Sequence, residues 1–123
     1  MPTSATLGSV SLLRSFGFAL EGVAYLIRTQ RSAQIEIAIG AAVIALATWL
    51  RITALEWAVL VLAMALVLAL EALNTAIELA VTLASPERHP LAKAAKDVAA
   101  AMVLIASIGS VFVGILVFAP RLF

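Results

Sequence analysis

The stretch Trp57-AVLVLAMALVLALEALNTAIELAVTL-Ala84 carries no charge before Glu71 and neither proline nor glycine anywhere. As one helix its 28 residues measure about 42 Å, against a hydrocarbon core of about 30 Å. Such a helix crosses a bilayer and then projects from it or tilts. With the core starting at Trp57, about 20 residues carry it to Ala76. Glu71 then lies inside the membrane near one surface, and Glu78 lies at or beyond the headgroups. Glu71, Asn74 and Glu78 recur at i, i+3 and i+7 and so share one helix face. Ionisable groups within a span cost roughly 2.5–3.5 kcal/mol each at the bilayer centre and mark candidate functional sites.

The composition agrees with a membrane environment. The chain has 123 residues, 64% hydrophobic and 12% charged, with a mean hydropathy of +1.15. Soluble domains carry about 25% charged residues, and so short a chain has little interior in which to bury this much apolar surface. A net charge of +1, without a basic patch interleaved with aromatics, points away from nucleic acid. The absence of cysteine excludes disulfides, thiolate metal sites and cysteine nucleophiles. No basic segment precedes an apolar core in the first 13 residues, and Arg14, Glu21 and Arg28 interrupt any long apolar run beyond them. The N-terminus is expected to be retained.

Outward from the central helix, residues 6–31 alternate at helical spacing. Leu13, Phe16, Leu20, Val23 and Ile27 share one face, and Arg14, Glu21 and Arg28 line the opposite one. This pattern suits a helix in the membrane interface; a helix of a small soluble bundle is the alternative. Residues 34–50 form a short first span. Trp49, Arg51, Glu56 and Trp57 crowd the next turn as an interfacial anchor. Ser85-Pro-Glu-Arg-His-Pro90 is a polar loop. A third helix is expected over 91–119, its span running from Val98 to Pro120. Ala106, Ser110 and Gly114 form a small-residue stripe there that permits close helix packing. The expected fold is an all-α membrane protein, an N-terminal amphipathic surface helix followed by three transmembrane helices, as one domain over 1–123. Arg14, Arg28, Arg31, Arg88, Lys93 and Lys96 fall on one side of it, Arg51 and Arg121 on the other. That bias places the N-terminus and the 85–97 segment in the cytoplasm.

At that face Glu71 is suited to taking a proton from a hydroxyl at the membrane surface. Glu78 suits Mg²⁺, which binds one or two carboxylates plus substrate phosphates. Asn74 between them can donate and accept hydrogen bonds. Lys96 can neutralise phosphate charge and Asp97 can orient it. A nucleotide and a lipid alcohol would meet here, and phosphoryl transfer asks chiefly for positioning and charge stabilisation. Neither a G-x-x-x-x-G-K-[ST] loop nor a kinase Gly-rich loop is present. A proton or ion pathway uses intramembrane acids equally well. His89, in the polar loop between two prolines, reads as a loop residue, since a single histidine makes no zinc site.

Glu71-Ala-Leu-Asn-Thr-Ala-Ile-Glu78 and Glu87-Arg-His-Pro-Leu-Ala-Lys-Ala-Ala-Lys-Asp97, with the separation between them, resemble the prokaryotic diacylglycerol kinase family. These are small three-span lipid kinases that include undecaprenol kinases. The likeness covers nearly the whole chain, and the His-Pro-Leu-Ala-Lys form of the loop leans toward the undecaprenol-kinase branch. The resemblance implies a homotrimer of the inner (cytoplasmic) membrane, with sites at subunit boundaries, that uses ATP and Mg²⁺ to phosphorylate a lipid hydroxyl. It implies Glu71 as the base, Asn74 as an active-site amide and Glu78 as a metal ligand that also contacts nucleotide. It further implies Glu87, Arg88 and His89 as a nucleotide-contacting loop and Lys96 with Asp97 as the pair closing on the phosphates. Two positions depart from the pattern. Gln30 stands where the family has a second metal-binding glutamate; it offers a neutral carbonyl oxygen and one less negative charge. Thr82 stands where Asp or a similar polar residue often comes four positions after the first block. The nearest acid downstream of Gln30 is Glu36, six residues on. A non-enzymatic membrane protein, either a conduit or a degenerate kinase acting as a scaffold, is the alternative.

Overall fold

A computed structural model describes the backbone of residues 4–123 and the side chains of residues 11–123. Four helices succeed one another: α1 (Ser4–Thr29), α2 (Arg31–Leu50), α3 (Ala54–Ala84) and α4 (Pro90–Leu122). No strand occurs among the described residues. The last three helices are each long and apolar enough to cross a membrane, so the chain is the all-α, three-span protein that its composition implies. α3 packs most extensively against α4, and α2 lies against α3.

α3 starts at Ala54, three residues before Trp57, because Thr53 caps it. Glu56 N donates to Thr53 Oγ1 at 3.2 Å, and Thr53 N donates to Glu56 Oε1 at 3.0 Å. Together they form a reciprocal capping box that satisfies two otherwise orphaned amides. The T-x-x-E spacing announces it in the sequence. α2 stops three residues earlier through a Schellman arrangement. Arg51 takes left-handed backbone angles (φ 53°, ψ 56°), Arg51 N donates to Thr48 O and Ile52 N to Ala47 O. Ile52 then buries its side chain.

This turn lies beside the apolar core, formed by Ala47, Ile52, Leu60, Val117 and Phe118 with Leu46, Leu50, Trp57 and Met64 packed around it. Trp57 contributes to that packing while Trp49 is exposed. α4 does not stop before Pro120 but continues to Leu122. Its extra turn is held in two ways. Phe123 N donates to Ala119 O at 2.9 Å, and the Arg121 guanidinium forks onto both carboxylate oxygens of Glu56. The start of α3 and the end of α4 are thereby riveted together, with the two helices antiparallel.

One expectation about packing changes. The small-residue stripe of α4 is not closed by another helix of the same chain: a Cβ added at Gly114 would meet nothing within 4 Å. α3 separates α2 from α4, and Ser110 and Gly114 face an apolar groove of about 680 Å³ floored by Leu60, Met64 and Leu68. α1, for its part, packs through Leu26, its most deeply buried apolar side chain among the described residues. The face bearing Leu13, Phe16, Leu20, Val23 and Ile27 remains exposed.

A residue with a side chain incurs about 1–2 kcal/mol for left-handed backbone angles, whereas glycine takes them freely. Arg51→Gly is therefore expected to raise stability by about 0.5–1 kcal/mol once the extra freedom of glycine in the unfolded chain is subtracted. Thermal unfolding in detergent would register this as a higher midpoint with unchanged helix content.

Candidate active site

The polar groups gather at the end of the α3–α4 hairpin remote from the apolar core. α3 supplies Glu71, Asn74, Thr75 and Glu78 from successive turns of one face. Glu71 is 4% exposed and Thr75 5%, while Asn74 and Glu78 are half-buried. The Thr75 hydroxyl donates to the Glu71 carbonyl at 2.9 Å. Asn74 Nδ2 lies 3.5 Å from Glu78 Oε1, and Asn74 Oδ1 is buried without a hydrogen-bond partner. A buried acceptor of this kind wants a donor or a cation.

Two cavities adjoin these groups. The first, about 720 Å³, is lined by Gln30, Thr75, Glu78, Thr82 and Lys96, with Leu79, Leu83 and Pro86. The second, about 680 Å³, is formed by the loop and the first two turns of α4, from Ser85 to His89 and on to Lys93, Lys96 and Asp97. Thr82, Pro86 and Lys96 border both. Lys96 therefore stands between the acid-bearing cavity and the loop cavity, and it makes no ion pair among the described residues.

Asp97 does not pair with Lys96. Adjacent residues on a helix point about 100° apart, whereas i and i+4 are neighbours, and Asp97 accepts from Lys93 Nζ at 2.6 Å. The hydrogen bond from Lys93 to Asp97 holds this ammonium above the usual lysine range; both side chains lie in the turns of α4 that precede the span and are largely exposed, where such pairs contribute little to stability. His89 has a role that its loop setting conceals. It is the N-cap of α4, with Nδ1 accepting from Leu91 N at 3.1 Å, and Pro90 fills the first helical position, where its missing N–H costs nothing. Ser85 Oγ donates to Glu87 O at 3.1 Å and so shapes the same loop.

Gln30 ends α1 and precedes α2 with extended backbone angles (φ −107°, ψ 110°). Its Nε2 donates to Thr29 Oγ1 at 3.2 Å, which leaves its carbonyl oxygen as acceptor. The corner brings Gln30 to the wall that Glu78 shares. Glu36 is not brought there; it lines the apolar groove instead. No cluster of three or more His, Cys, Asp or Glu able to hold a metal occurs among the described residues. Glu71 borders neither cavity. Its Oε2 accepts from Ser32 Oγ at 2.7 Å, a contact between residues 39 apart that no local spacing reveals.

Residues 17–118 match the model of a family described as prokaryotic diacylglycerol kinase. The chain belongs to that family. Among curated relatives it is 38% identical over 109 residues to the undecaprenol kinase of Bacillus subtilis, covering 89% of each chain. It is 34% identical over 115 residues to the diacylglycerol kinase of Haemophilus influenzae, covering 92% of this chain and 98% of that one. With the diacylglycerol kinase of Synechocystis it shares 48% identity over 105 residues, 85% of this chain but only 60% of the longer relative. For a prokaryotic diacylglycerol kinase family member, the arrangement sets a buried acid on α3 and a cationic side chain between two cavities. Relatives named for two different lipid alcohols match it over comparable lengths.

Removing the His89 cap is expected to loosen the start of α4. His89→Ala should cost about 1 kcal/mol, as loss of an N-cap does, and His89→Asn should retain most of it. Hydrogen exchange at the Leu91 amide would quicken in the first variant and stay slow in the second.

Proposed function

We propose that this protein is a lipid kinase that transfers the γ-phosphate of ATP to the hydroxyl of a membrane lipid alcohol, diacylglycerol or undecaprenol. The observation that carries the reading is the position of Lys96, facing both the cavity that holds Glu78 and the cavity formed by the Glu87-Arg88-His89 loop. A triphosphate lying across that border places its charge against one ammonium, and the acceptor approaches from the apolar side, where Glu71 is buried.

In the proposed reaction the hydroxyl oxygen attacks the γ-phosphorus and its proton passes to the Glu71 carboxylate. The bond from the γ-phosphorus to the β-phosphate oxygen breaks, and ADP leaves. Lys96 stabilises charge on the transferring group. Asn74 holds Glu78 in place, and Glu87, Arg88, His89 and Asp97 border the nucleotide. The donor set fits a divalent cation: one carboxylate from Glu78, the neutral carbonyl of Gln30 and the orphaned Asn74 Oδ1 are the oxygen ligands that Mg²⁺ accepts alongside phosphate. When bound, Mg²⁺ neutralises phosphate oxygens. The acyl or prenyl chain has the apolar groove between α2 and α4 beside it. The distribution of basic residues supports a cytoplasmic site in the inner membrane. The unclosed stripe at Ser110 and Gly114 and the family resemblance support a homotrimer.

The test uses purified protein in nanodiscs with labelled ATP, Mg²⁺ and a panel of diacylglycerol, undecaprenol and ceramide. Labelled lipid is expected with at least one acceptor, and its absence with all three would sink the kinase reading. Glu71→Gln is expected to lower turnover by about 10²–10⁴-fold, the range of a general base, with ATP binding intact. Glu78→Gln should recover with added Mg²⁺ and Glu71→Gln should not; recovery of Glu71→Gln alone would reverse the two assignments, and equal recovery would remove the distinction between them.

A further inference from the structure

Glu71 is a buried carboxylate that the helix alone does not orient. A glutamate has three side-chain torsions, and its own helix offers it no donor: the Thr75 hydroxyl is committed to the Glu71 carbonyl and the Asn74 amide is turned to Glu78. The ion pairs among the described residues are elsewhere, at Lys93–Asp97 and Arg121–Glu56. One side-chain donor reaches the carboxylate among the described residues, Ser32 Oγ, at 2.7 Å from Oε2.

Ser32 owes its position to the α1–α2 corner. Gln30 breaks the helix, α2 restarts at Arg31, and Gln34 Nε2 donates back across the corner to Ile27 O at 2.8 Å. Next to the serine, Ala33 is 0% exposed, so the first turn of α2 sits tightly against its neighbours and the Ser32 hydroxyl falls within reach of α3. The same corner carries Gln30 to the cavity of Glu78. One corner thus sends Ser32 to the Glu71 carboxylate and Gln30 to the cavity that Glu78 lines.

We infer that Ser32 is the positioning residue of Glu71: its hydroxyl occupies Oε2, fixes the plane of the carboxylate and leaves Oε1 to receive the proton of the acceptor lipid. The inference rests on the kinase reading above and adds a residue to it. Ser32 touches neither phosphate nor lipid; it acts through Glu71. Misplacing a reacting group by about 1 Å can cost on the order of 10²-fold in rate, and a hydrogen bond to a charged group is among the stronger ones in a protein.

The experiment compares Ser32→Ala and Ser32→Thr with Glu71→Gln in the nanodisc assay, together with thermal unfolding and the infrared carboxylate band assigned to Glu71 by its loss in Glu71→Gln. Ser32→Ala is expected to lower kcat by on the order of tenfold, with the KM for ATP and the unfolding midpoint unchanged and the Glu71 band shifted. Ser32→Thr, which keeps the hydroxyl, should restore both kcat and the band. Wild-type kcat in Ser32→Ala would overturn the inference, as would a loss shared by kcat, ATP KM and unfolding midpoint that threonine does not restore. Failure of the kinase reading looks different: there the unsubstituted protein labels no lipid, and failure of the base assignment shows as turnover retained in Glu71→Gln.

Discussion

A helix of 31 residues measures about 46 Å and cannot be contained in a hydrocarbon layer of about 30 Å, and the structure is organised by where that excess length falls. At one end α3 is fixed in place. Thr53 and Glu56 cap it, the turn from α2 is closed by Arg51, and Arg121 holds the end of α4 against Glu56. The apolar core collects beside these contacts. The polar groups gather at the opposite end, where Glu78, the loop and Lys96 line two adjoining cavities. Glu71 is buried on the same face of α3, two turns before Glu78.

Sequence and structure agree most closely where the bilayer dictates the pattern. Long apolar runs, the proline-flanked loop and the spacing of Glu71, Asn74 and Glu78 are all periodic or compositional signals, and each places its residues on the elements where they are found. The Thr53–Glu56 box is readable by the same means. Spacing does not supply contact between distant segments. Ser32 with Glu71, and Glu56 with Arg121, join residues 39 and 65 apart, and a lone serine or a terminal arginine has no local signature. Pro120 misleads for a related reason: its cost to a helix is ordinarily decisive, but here the turn beyond it is anchored from another helix. Helical geometry gives the Asp97 carboxylate to Lys93 at i−4 and leaves its neighbour Lys96 without an ion pair among the described residues.

The candidate site is consequently assembled from three sources that differ in rigidity. α3 contributes acids on a continuous helix, the α1–α2 corner contributes Gln30 and Ser32, and the loop with α4 contributes the cationic and cap groups. The corner is bound by short contacts of its own, including Thr29 Oγ1 to Tyr25 O at 2.7 Å and Gln34 to Ile27. The loop relies on Ser85 and His89 to hold it. Lys96 is common to both cavities, so any displacement of α4 along α3 is felt at both at once.

The fork between Arg121 and Glu56 also bears on biogenesis. Both charges lie at the end of the hairpin remote from its five-residue turn, Ser85 to His89. A chain delivering α3 and α4 one at a time would present hydrocarbon first with a lone glutamate and then with a lone arginine, each at roughly 2.5–3.5 kcal/mol at the bilayer centre. A hairpin that closes before it inserts carries them as a neutral, mutually hydrogen-bonded pair. The contact that fixes the finished bundle is thus also one that favours its two longest helices entering the membrane together.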